Sequence, residues 1–407
     1  MKQIDIGKIS NNRTCPNQTK LMRNDLTPIS TFDVPDLYNM INIRPLHIDL
    51  RKYVNSHLLN GSPFPVPPIN PHPYTYVHRP PDCQYQTKDN LTIMILIKSY
   101  VKHTVQRYAI RETWGRPNLY PNVKVAFLLA DVKRFQRHVE TEVAVYNDVI
   151  QQDFADHYWN NTLKTIMGFN WVTVSCPEAK IIIFADDDHL IHMQNILAFL
   201  RSFPTEKLSK LYAGYLIKSG SVSRVTVGMT ISVNDYPYPY WPPYLRGGLF
   251  LMSQDMAQTF AMAFPYVKSL PVDDAYLGVV AYKLNITALH DERFTQVKER
   301  IKKYKNSHFS FNDFKSRETL VEAWKTISVR GTSTRSKEQY NEIRSPATSG
   351  RSDRRKQYNE MLSRATSEKS ERQKQYKTIM AHATSVKSEK QKQYIKENLS
   401  HDTDMSV

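Results

Sequence analysis

Three consecutive carboxylates follow a short apolar run near the middle of the chain. Asp186, Asp187 and Asp188 come directly after residues 180–185, which have the length and composition of a buried strand. Alternate side chains at a strand end point the same way, so Asp186 and Asp188 are expected to face one site. Close carboxylates repel unless a proton or cation lies between them, and oxygen ligands suit Mg²⁺ or Mn²⁺. The run therefore favours a cation bound together with substrate phosphates, although a solvated turn or helix cap uses the same residues.

A second pair of carboxylates lies in the segment Pro-Val-Asp-Asp-Ala-Tyr-Leu-Gly at residues 271–278. Asp273 or Asp274 could cap the helix that follows. The functional interpretation is a general base that removes a proton from an acceptor hydroxyl. His290, 16 residues beyond Asp274, could be a metal ligand or a partly buried side chain.

Two arginines could bind phosphate. Arg107 and Arg111 are four residues apart and so share one face of a helix. Guanidinium groups bind phosphate oxygens in pairs. An ion pair with carboxylates is the alternative.

The elements around these residues indicate an α/β domain with a mostly parallel central sheet. Apolar runs at 91–97, 123–130 and 180–185 predict buried strands, and 101–114, 133–146 and 161–174 predict helices between or beside them. Alternating strands and helices are typical of a parallel sheet covered on both faces. Ligands of such sheets bind at the carboxyl ends of the strands, where Asp186 to Asp188 lie.

Composition sets the class and the domain boundaries. Apolar residues make up 41% of the 407 residues, and 55 Lys and Arg against 39 Asp and Glu give a net charge of +16, which favours an anionic partner. Three cysteines exclude a disulfide-dense scaffold and a four-cysteine zinc site, but leave one disulfide possible. We predict a stem or linker at 1–82, the globular domain at 83–300, a linker at 301–329 and a basic tail at 330–407.

The tail contains an 18-residue repeat. Gln-Tyr recurs at Tyr340, Tyr358, Tyr376 and Tyr394. Pro346 and Gly350 interrupt any continuous helix. Frayed helices or disorder are therefore predicted, as a solvated tail or as a segment that engages nucleic acid or a membrane surface.

Several segments between residues 92 and 294 occur in an order found in a known family. They are 107–115 (Arg-Tyr-Ala-Ile-Arg-Glu-Thr-Trp-Gly), 127–130 (Phe-Leu-Leu-Ala), 142–150 (Glu-Val-Ala-Val-Tyr-Asn-Asp-Val-Ile), 153–158 (Asp-Phe-Ala-Asp-His-Tyr), 161–165 (Asn-Thr-Leu-Lys-Thr), the Asp run 186–188, Tyr236-Pro237 with Trp241 to Gly247, and 273–278. In this order they resemble the beta-1,3-glycosyltransferases, the galactosyl- and N-acetylglucosaminyltransferases that act on glycoproteins and glycolipids.

The resemblance implies a GT-A fold and an inverting hexosyltransferase that uses Mn²⁺ (or Mg²⁺). UDP-galactose or UDP-N-acetylglucosamine would be the donor, and a glycan on a glycoprotein or glycolipid the acceptor. By the same resemblance Asp274 is the catalytic base and Asp188 the direct metal ligand. The remaining carried-over residues are Asp186 for metal and donor, His290 as a further metal ligand, and Arg107, Arg111, Asp148 and Lys164 for the donor pocket.

Two departures from the family pattern affect the same region. His189-Leu190 replaces the usual apolar-aromatic pair after the Asp run, and Leu249 stands where glycine is common, so its side chain could narrow the sugar pocket. Because the metal and base residues are intact, an active enzyme is favoured. The alternative is a catalytically impaired domain that acts as a binding protein through its basic tail.

The resemblance also implies a Golgi membrane protein with a lumenal catalytic domain. Family members carry an N-terminal signal-anchor, and no run of roughly 20 apolar residues occurs in this sequence. We therefore expect an anchor encoded upstream of Met1. Acceptor sequons for N-glycosylation fit a lumenal domain, and they begin at Asn12, Asn17, Asn60, Asn90, Asn160 and Asn285. We expect no specific nucleic-acid partner.

Overall fold

An eight-stranded mixed sheet forms the centre of the molecule in the computed structural model, which describes residues 49–85, 87, 89–225, 230–294 and 307–330. The strands of this sheet are β1 Tyr76–His78, β2 Ile93–Lys98, β3 Val123–Asp131, β4 Val149–Ala155, β5 Ile181–Asp186, β7 Tyr212–Ile217, β8 Tyr244–Ser253 and β9 Leu289–His290. Their order across the sheet is β1-β4-β3-β2-β5-β8-β7-β9. Strands β4, β3, β2 and β5 are mutually parallel, whereas β8 runs antiparallel to both β5 and β7. The α/β class with a largely parallel central sheet is confirmed.

Helices cover both faces of this sheet. They are α1 Leu50–Asn60, α2 Thr104–Glu112, α3 Gln136–Tyr146, α4 Asn161–Ser175, α5 Met193–Arg201, α6 Thr205–Leu208, α7 Gln254–Ala263, α8 Asp273–Lys283 and α9 Arg317–Arg330. Strand β2 shows why two layers are needed, since Met94 and Leu96 enter one core while Ile93, Ile95 and Ile97 enter the other. A strand buried on both faces is a continuous apolar run, which is why the sequence predicts it well.

The strand order of the sheet reverses beside β2. Strands β2, β3 and β4 follow one another to one side, and β5 then returns to pair with the opposite edge of β2. Ligands of open α/β sheets bind at such a switch point, outside the carboxyl ends of the strands. The register places Lys98 of β2 beside Asp186 of β5 at this point.

The packed domain begins before the predicted boundary at residue 83. Helix α1 buries Leu50 and Val54 in the same core as α4 and α7, and β1 pairs with β4 at the edge of the sheet. The proline-rich stretch between them is tied to the domain through Ile69, whose N–H donates to the carbonyl of Pro265. The described part of the predicted stem is therefore part of the globular unit.

The domain also extends beyond the predicted boundary at residue 300. Strand β10 (Ser310–Phe311) pairs with β6 (Leu190–Ile191), directly after the Asp run. Helix α9 packs against α2, where Arg317 Nε donates to Glu112 Oε2 at 2.7 Å. The other parts of the predicted stem and linker, and residues 331–407 of the predicted repeat tail, lie outside the described residues.

A disulfide joins Cys83 to Cys176 and so ties the segment before β2 to the end of α4. The pairing resolves the alternatives that the cysteine count leaves open for these two residues. Within the described ranges, none of the helices combines the length and apolar character needed to cross a bilayer.

Candidate active site

Lys98 lies between the two acidic segments that the sequence singles out. Its Nζ lies 2.7 Å from Asp273 Oδ2, 3.1 Å from Asp186 Oδ1 and 3.2 Å from the carbonyl oxygen of Gly247. Burial alone would lower the pKa of Lys98, but the two carboxylates raise it above its ordinary value. Lys98 is therefore a fixed cation that joins the ends of β2 and β5 to the start of α8.

Asp274 sits in the first turn of α8, next to Asp273, and faces a different partner. Its Oδ2 accepts a hydrogen bond from the backbone N–H of Gly247 at 3.1 Å, and its Oδ1 accepts one from Ala275 at 2.8 Å. Burial, and then the negative charge of Asp273, raise the pKa of Asp274 to about 6. Asp274 is thus a carboxyl group whose proton affinity suits a general base near neutral pH.

Two glycines allow α8 to approach β8 this closely. A Cβ atom at Gly247 would lie 3.1 Å from the Cβ of Asp274, and one at Gly278 would lie 2.5 Å from the Cβ of Tyr244. The second distance is shorter than side chains tolerate, and both contacts fall on the Asp274 side of the helix. These glycines therefore set the position of Asp274 against the sheet.

The two acidic segments share a cavity of about 310 Å³. Its polar side is formed by Lys98, Asp186, Asp273 and Asp274, with Gly247 between them. Tyr158, Trp241, Tyr244 and Arg246 are among the residues that form the rest of its wall. A small cavity with aromatic walls and convergent polar groups is the usual form of a site for a small ligand.

A larger cavity of about 660 Å³ is lined by Tyr236, whose ring centroid lies 4.3 Å from that of Trp241 in the smaller cavity. Its carboxylate, Asp235, is exposed and paired with exposed Lys268 at 2.9 Å. Because neither acidic segment reaches it, we place the chemistry in the smaller cavity.

The Asp run forms a tight turn held from both sides. The N–H of His189 donates to the carbonyl of Asp186 at 3.3 Å, and the N–H of Phe314, from the C-terminal segment, donates to the carbonyl of Asp188 at 3.1 Å. The indole N–H of Trp114 donates to the carbonyl of His189 at 3.0 Å. Trp114, in the segment 107–115, therefore stabilises the acidic turn through this hydrogen bond.

Asp186, Asp188 and His189 each present a ligand atom within 4.8 Å of the others'. The side chains of Asp186 and Asp188 retain 41% and 37% exposure, so an ion can reach them. Two carboxylates and an imidazole form a donor set that fits Mn²⁺ or a similar divalent ion. The structure therefore brings Asp186 and Asp188 together as predicted and adds His189 to them.

His290 lies apart from this cluster, although the sequence resemblance makes it a metal ligand. It is on β9, three strands from β5 and thus ~14 Å away at the usual strand spacing. Its Nδ1 lies 3.1 Å from the backbone nitrogen of Leu216 and accepts that N–H. In this arrangement His290 holds the edge of the sheet.

Arg107 and Arg111, predicted to bind the donor, are buried in ion pairs. Arg107 donates to Glu142 through Nε and Nη2 at 2.8 and 2.7 Å, and Arg111 donates to Asp148 at 2.8 and 2.7 Å. Neither arginine, nor Asp148, lines the cavity of about 310 Å³. To contact the donor directly, either arginine would have to break its ion pair. The geometry therefore favours the ion-pair interpretation of Arg107 and Arg111 over phosphate binding.

These buried groups act on the acidic turn through Ser99. Arg107 Nη1 donates to Ser99 Oγ at 3.0 Å, and Ser99 Oγ donates to Asp187 Oδ2 at 2.6 Å. Lys164 Nζ donates to the carbonyl of Ser99 and to Asp156 Oδ1, each at 2.8 Å. Arg107 and Lys164, predicted to line the donor pocket, therefore stabilise the acidic turn indirectly, through Ser99.

Leu249 does not narrow the cavity. Its side chain is buried in the core on the opposite face of the sheet, with Ile183 and Leu251, while Gly247 and Gly248 line the cavity. The expectation that Leu249 faces the sugar pocket is wrong, because the pairing of β8 with β7 shifts register between Leu245 and Phe250, and Leu249 joins Leu251 in the core beyond this irregularity.

Sequence reasoning missed Lys98 and did not use His189. Lys98 is the charged residue that ends the apolar run of β2, just as Asp186 ends that of β5. Both therefore mark the carboxyl end of a buried strand, where ligands of such sheets bind. His189 follows the Asp run directly, so its position in the sequence was itself a signal.

Comparison with known proteins identifies the class. The sequence pattern of the galactosyltransferase family matches residues 105–292. The beta-1,3-galactosyltransferase brn of Drosophila melanogaster is 30% identical over 57% of this chain and 73% of its own length, and beta-1,3-galactosyltransferase 1 of Homo sapiens is 31% identical over 57% and 72%. A lactosylceramide 1,3-N-acetyl-beta-D-glucosaminyltransferase of Rattus norvegicus is 31% identical over 53% of this chain and 59% of its own.

The chain also has a low overall similarity to some solved structures. They include the bifunctional glycosyltransferase WbbM (TM-score 0.35, 10% identity, 60% of this chain and 52% of that one) and the galactosyltransferase LgtC with donor and acceptor sugar analogues (TM-score 0.33, 9% identity, 61% and 99%).

The protein is therefore a glycosyltransferase with an α/β domain. More narrowly, the relatives place it among the beta-1,3-galactosyl- and N-acetylglucosaminyltransferases: the chain belongs to the galactosyltransferase family.

Proposed function

We propose that this protein is an inverting hexosyltransferase that moves galactose or N-acetylglucosamine from a UDP-sugar to a glycan hydroxyl, forming a beta-1,3 linkage. The observation that carries the proposal is the placement of Asp274 in the same cavity as Asp186, with Lys98 between the two segments. One acidic segment can serve the donor and the other the acceptor.

Asp274 is the general base of this reaction. As the acceptor oxygen bonds to the anomeric carbon, its hydroxyl proton passes to the Asp274 carboxylate and the bond from the sugar to the diphosphate breaks. The N–H of Gly247 and the N–H of Ala275 orient the carboxylate while it waits for the proton. Attack from the face opposite the leaving group inverts the anomeric centre.

Asp186 and Asp188 are the residues that would hold a divalent cation, Mn²⁺ or Mg²⁺, on the donor side. When bound, such an ion stabilises the negative charge that develops on the departing diphosphate. Lys98 limits the repulsion among the carboxylates of the cavity before any ligand binds, because it pairs with Asp186 and Asp273. Tyr158, Trp241 and Tyr244 supply apolar walls that exclude water from the reacting sugar.

The names of the relatives support these donor and acceptor classes. Two of them are named as galactosyltransferases and one as an N-acetylglucosaminyltransferase acting on lactosylceramide. A hexose donor carried by UDP and a glycan acceptor on a glycoprotein or glycolipid are therefore the first substrates to test.

We propose that the domain lies in the Golgi lumen, at the membrane. The Cys83–Cys176 disulfide supports this, because such bonds persist in oxidising compartments. Three of the sequon residues, Asn60, Asn90 and Asn285, are exposed and so are accessible to glycosylation.

The direct test is release of UDP from a panel of UDP-sugars, with glycan acceptors, in Mn²⁺, in Mg²⁺ and in chelator. Acceptor-dependent release from UDP-galactose or UDP-N-acetylglucosamine that requires the cation supports the proposal. Release from neither donor with any terminal galactose or hexosamine acceptor would instead favour a catalytically impaired binding protein.

A further inference from the structure

We propose that His189 is a direct ligand of the divalent cation, through Nδ1, and that it gives this site a preference for transition-metal ions such as Mn²⁺ over Mg²⁺. The inference rests on the cation dependence in the proposed function and specifies the ligands behind it.

The imidazole of His189 is fixed where the cation would bind. The residue is 2% exposed, and its backbone is held at both ends, by the carbonyl of Asp186 and by the indole of Trp114. A buried ring with its backbone pinned cannot turn out to solvent. Its place beside the carboxylates is therefore part of the packing of the turn.

The two ring nitrogens have different surroundings. Nδ1 lies 2.8 Å from Asp188 Oδ1, whereas Nε2 is buried and has no hydrogen-bond partner among the described residues. The partner of one ring nitrogen normally decides which nitrogen carries the proton. Asp188 Oδ1 can only accept, so Nδ1 carries the proton while no ion is bound. An ion that binds Nδ1 would displace this proton to Nε2, where no described residue makes a hydrogen bond that opposes the shift.

The separation of Nδ1 from Asp188 Oδ1 suits two ligands of one ion. Bonds of about 2.1 Å that meet at a right angle place adjacent ligand atoms ~3 Å apart. The observed 2.8 Å is close to that spacing. The same contact is an ordinary hydrogen bond when no ion is bound, so the site is assembled in advance.

Lys98 makes Asp186 a weaker cation ligand than Asp188. It lies 3.1 Å from Asp186 Oδ1 and partly neutralises that group, while Asp188 has His189 as its neighbour. Asp188 and His189 are then the strongest protein ligands on offer. Carboxylate and water ligands suit Mg²⁺ and Mn²⁺ alike, whereas imidazole suits transition ions better than Mg²⁺, so one imidazole in the site shifts its preference toward Mn²⁺.

Electron spin-echo spectroscopy of Mn²⁺ bound to the full chain with UDP tests the assignment, because it detects a nitrogen bonded to the ion. We expect a nitrogen coupling that changes when the histidines are labelled with ¹⁵N. His189→Gln should abolish it and weaken Mn²⁺ binding roughly tenfold or more, with a smaller effect on Mg²⁺. Two matched variants should keep it: His103→Gln, whose Nδ1 lies 2.9 Å from Asp187 Oδ2, and His290→Gln.

Bound Mn²⁺ without a histidine coupling would overturn the inference and leave the transferase proposal standing. Loss of the nitrogen coupling in His290→Gln or His103→Gln would also overturn the assignment of His189 as the ligand. These two variants test that assignment even if His189→Gln does not fold. If Mn²⁺ does not bind in the presence of UDP, both this inference and the proposed cation dependence are overturned. Whether the enzyme transfers sugar without a cation is measured separately, by UDP release in chelator.

Discussion

Lys98 Nζ lies 2.7 Å from Asp273 Oδ2, and this contact separates the roles of two adjacent carboxylates. Burial opposes the charge of Asp273, but Lys98 keeps the pKa of Asp273 below its ordinary value. Asp274 does not share this contact, and the pKa of Asp274 is raised to about 6. Neighbouring carboxyls whose pKa values are driven apart are a common arrangement in acid–base catalysis. This separation supports the proposed roles, with Asp273 as a structural anion and Asp274 as the base.

Replacing Asp274 with asparagine should reduce transfer by about 100- to 10,000-fold, because the amide cannot accept the acceptor's proton. Binding of UDP and the melting temperature should change little, since asparagine nearly matches aspartate in shape. Initial rates at saturating donor and Mn²⁺ measure the effect. Asp255→Asn, at an exposed position on α7, is the control. Near-normal turnover of Asp274→Asn would exclude Asp274 as the base.

The pH profile of kcat/KM should fall on the acid side with an apparent pKa near 6. The base acts only when it is unprotonated, and burial together with Asp273 raises the pKa of Asp274, so activity is lost as the pH falls through that value. Rates measured from about pH 5 to about pH 8 at constant ionic strength give the profile. A rate that stays constant down to about pH 5 would contradict the environment assigned to Asp274.

Asp273→Asn should lower stability, because it removes one of the two carboxylates that neutralise buried Lys98. Breaking a buried pair costs about 3–5 kcal/mol, and we expect about 2–4 kcal/mol here since Asp186 remains. Denaturant unfolding measures the change. Asp235→Asn removes one partner of the exposed pair with Lys268 and should cost less than about 1 kcal/mol. Equal losses in the two variants would show that Lys98 does not depend on Asp273.

The sequence predicts the centre of the fold well for a physical reason. Strands β2 and β5, and β3 from Ala126 to Ala130, are buried on both faces, so each is a continuous apolar run, and the charged residue that ends a run marks the carboxyl end. The pairs Asp186–Asp188 and Asp273–Asp274 follow from the same logic and from the family resemblance. The structure brings these two segments into one cavity.

The rest depends on contacts between distant segments, which periodicity does not show. Arg107 looks like a phosphate ligand because its spacing from Arg111 fits a helix face, yet Glu142, 35 residues away, takes up its guanidinium. Short edge elements such as β1 and β10 carry little pattern of their own and are stabilised by the strands they pair with. Both lie in segments that composition alone assigned to linkers.

Reduction of the Cys83–Cys176 disulfide should destabilise the domain by about 4 kcal/mol, because the bond closes a loop of 93 residues. Thermal unfolding with and without dithiothreitol measures this. The variant Cys83→Ala/Cys176→Ala should unfold at the lower temperature in both conditions. Thiol titration of the denatured, unreduced protein should find Cys83 and Cys176 blocked, and free thiols at both positions would refute the pairing.

The configuration of the product shows whether sugar transfer is a single inverting displacement. NMR spectroscopy of the anomeric proton, recorded while the enzyme transfers sugar from UDP-galactose or UDP-N-acetylglucosamine to a glycan acceptor, reports whether the new bond is beta or alpha. We expect a beta-1,3 product from the alpha-linked donor, formed by the wild type and lost in Asp274→Asn. An alpha-linked product would mean retention of configuration, and it would contradict a single displacement with Asp274 as the base.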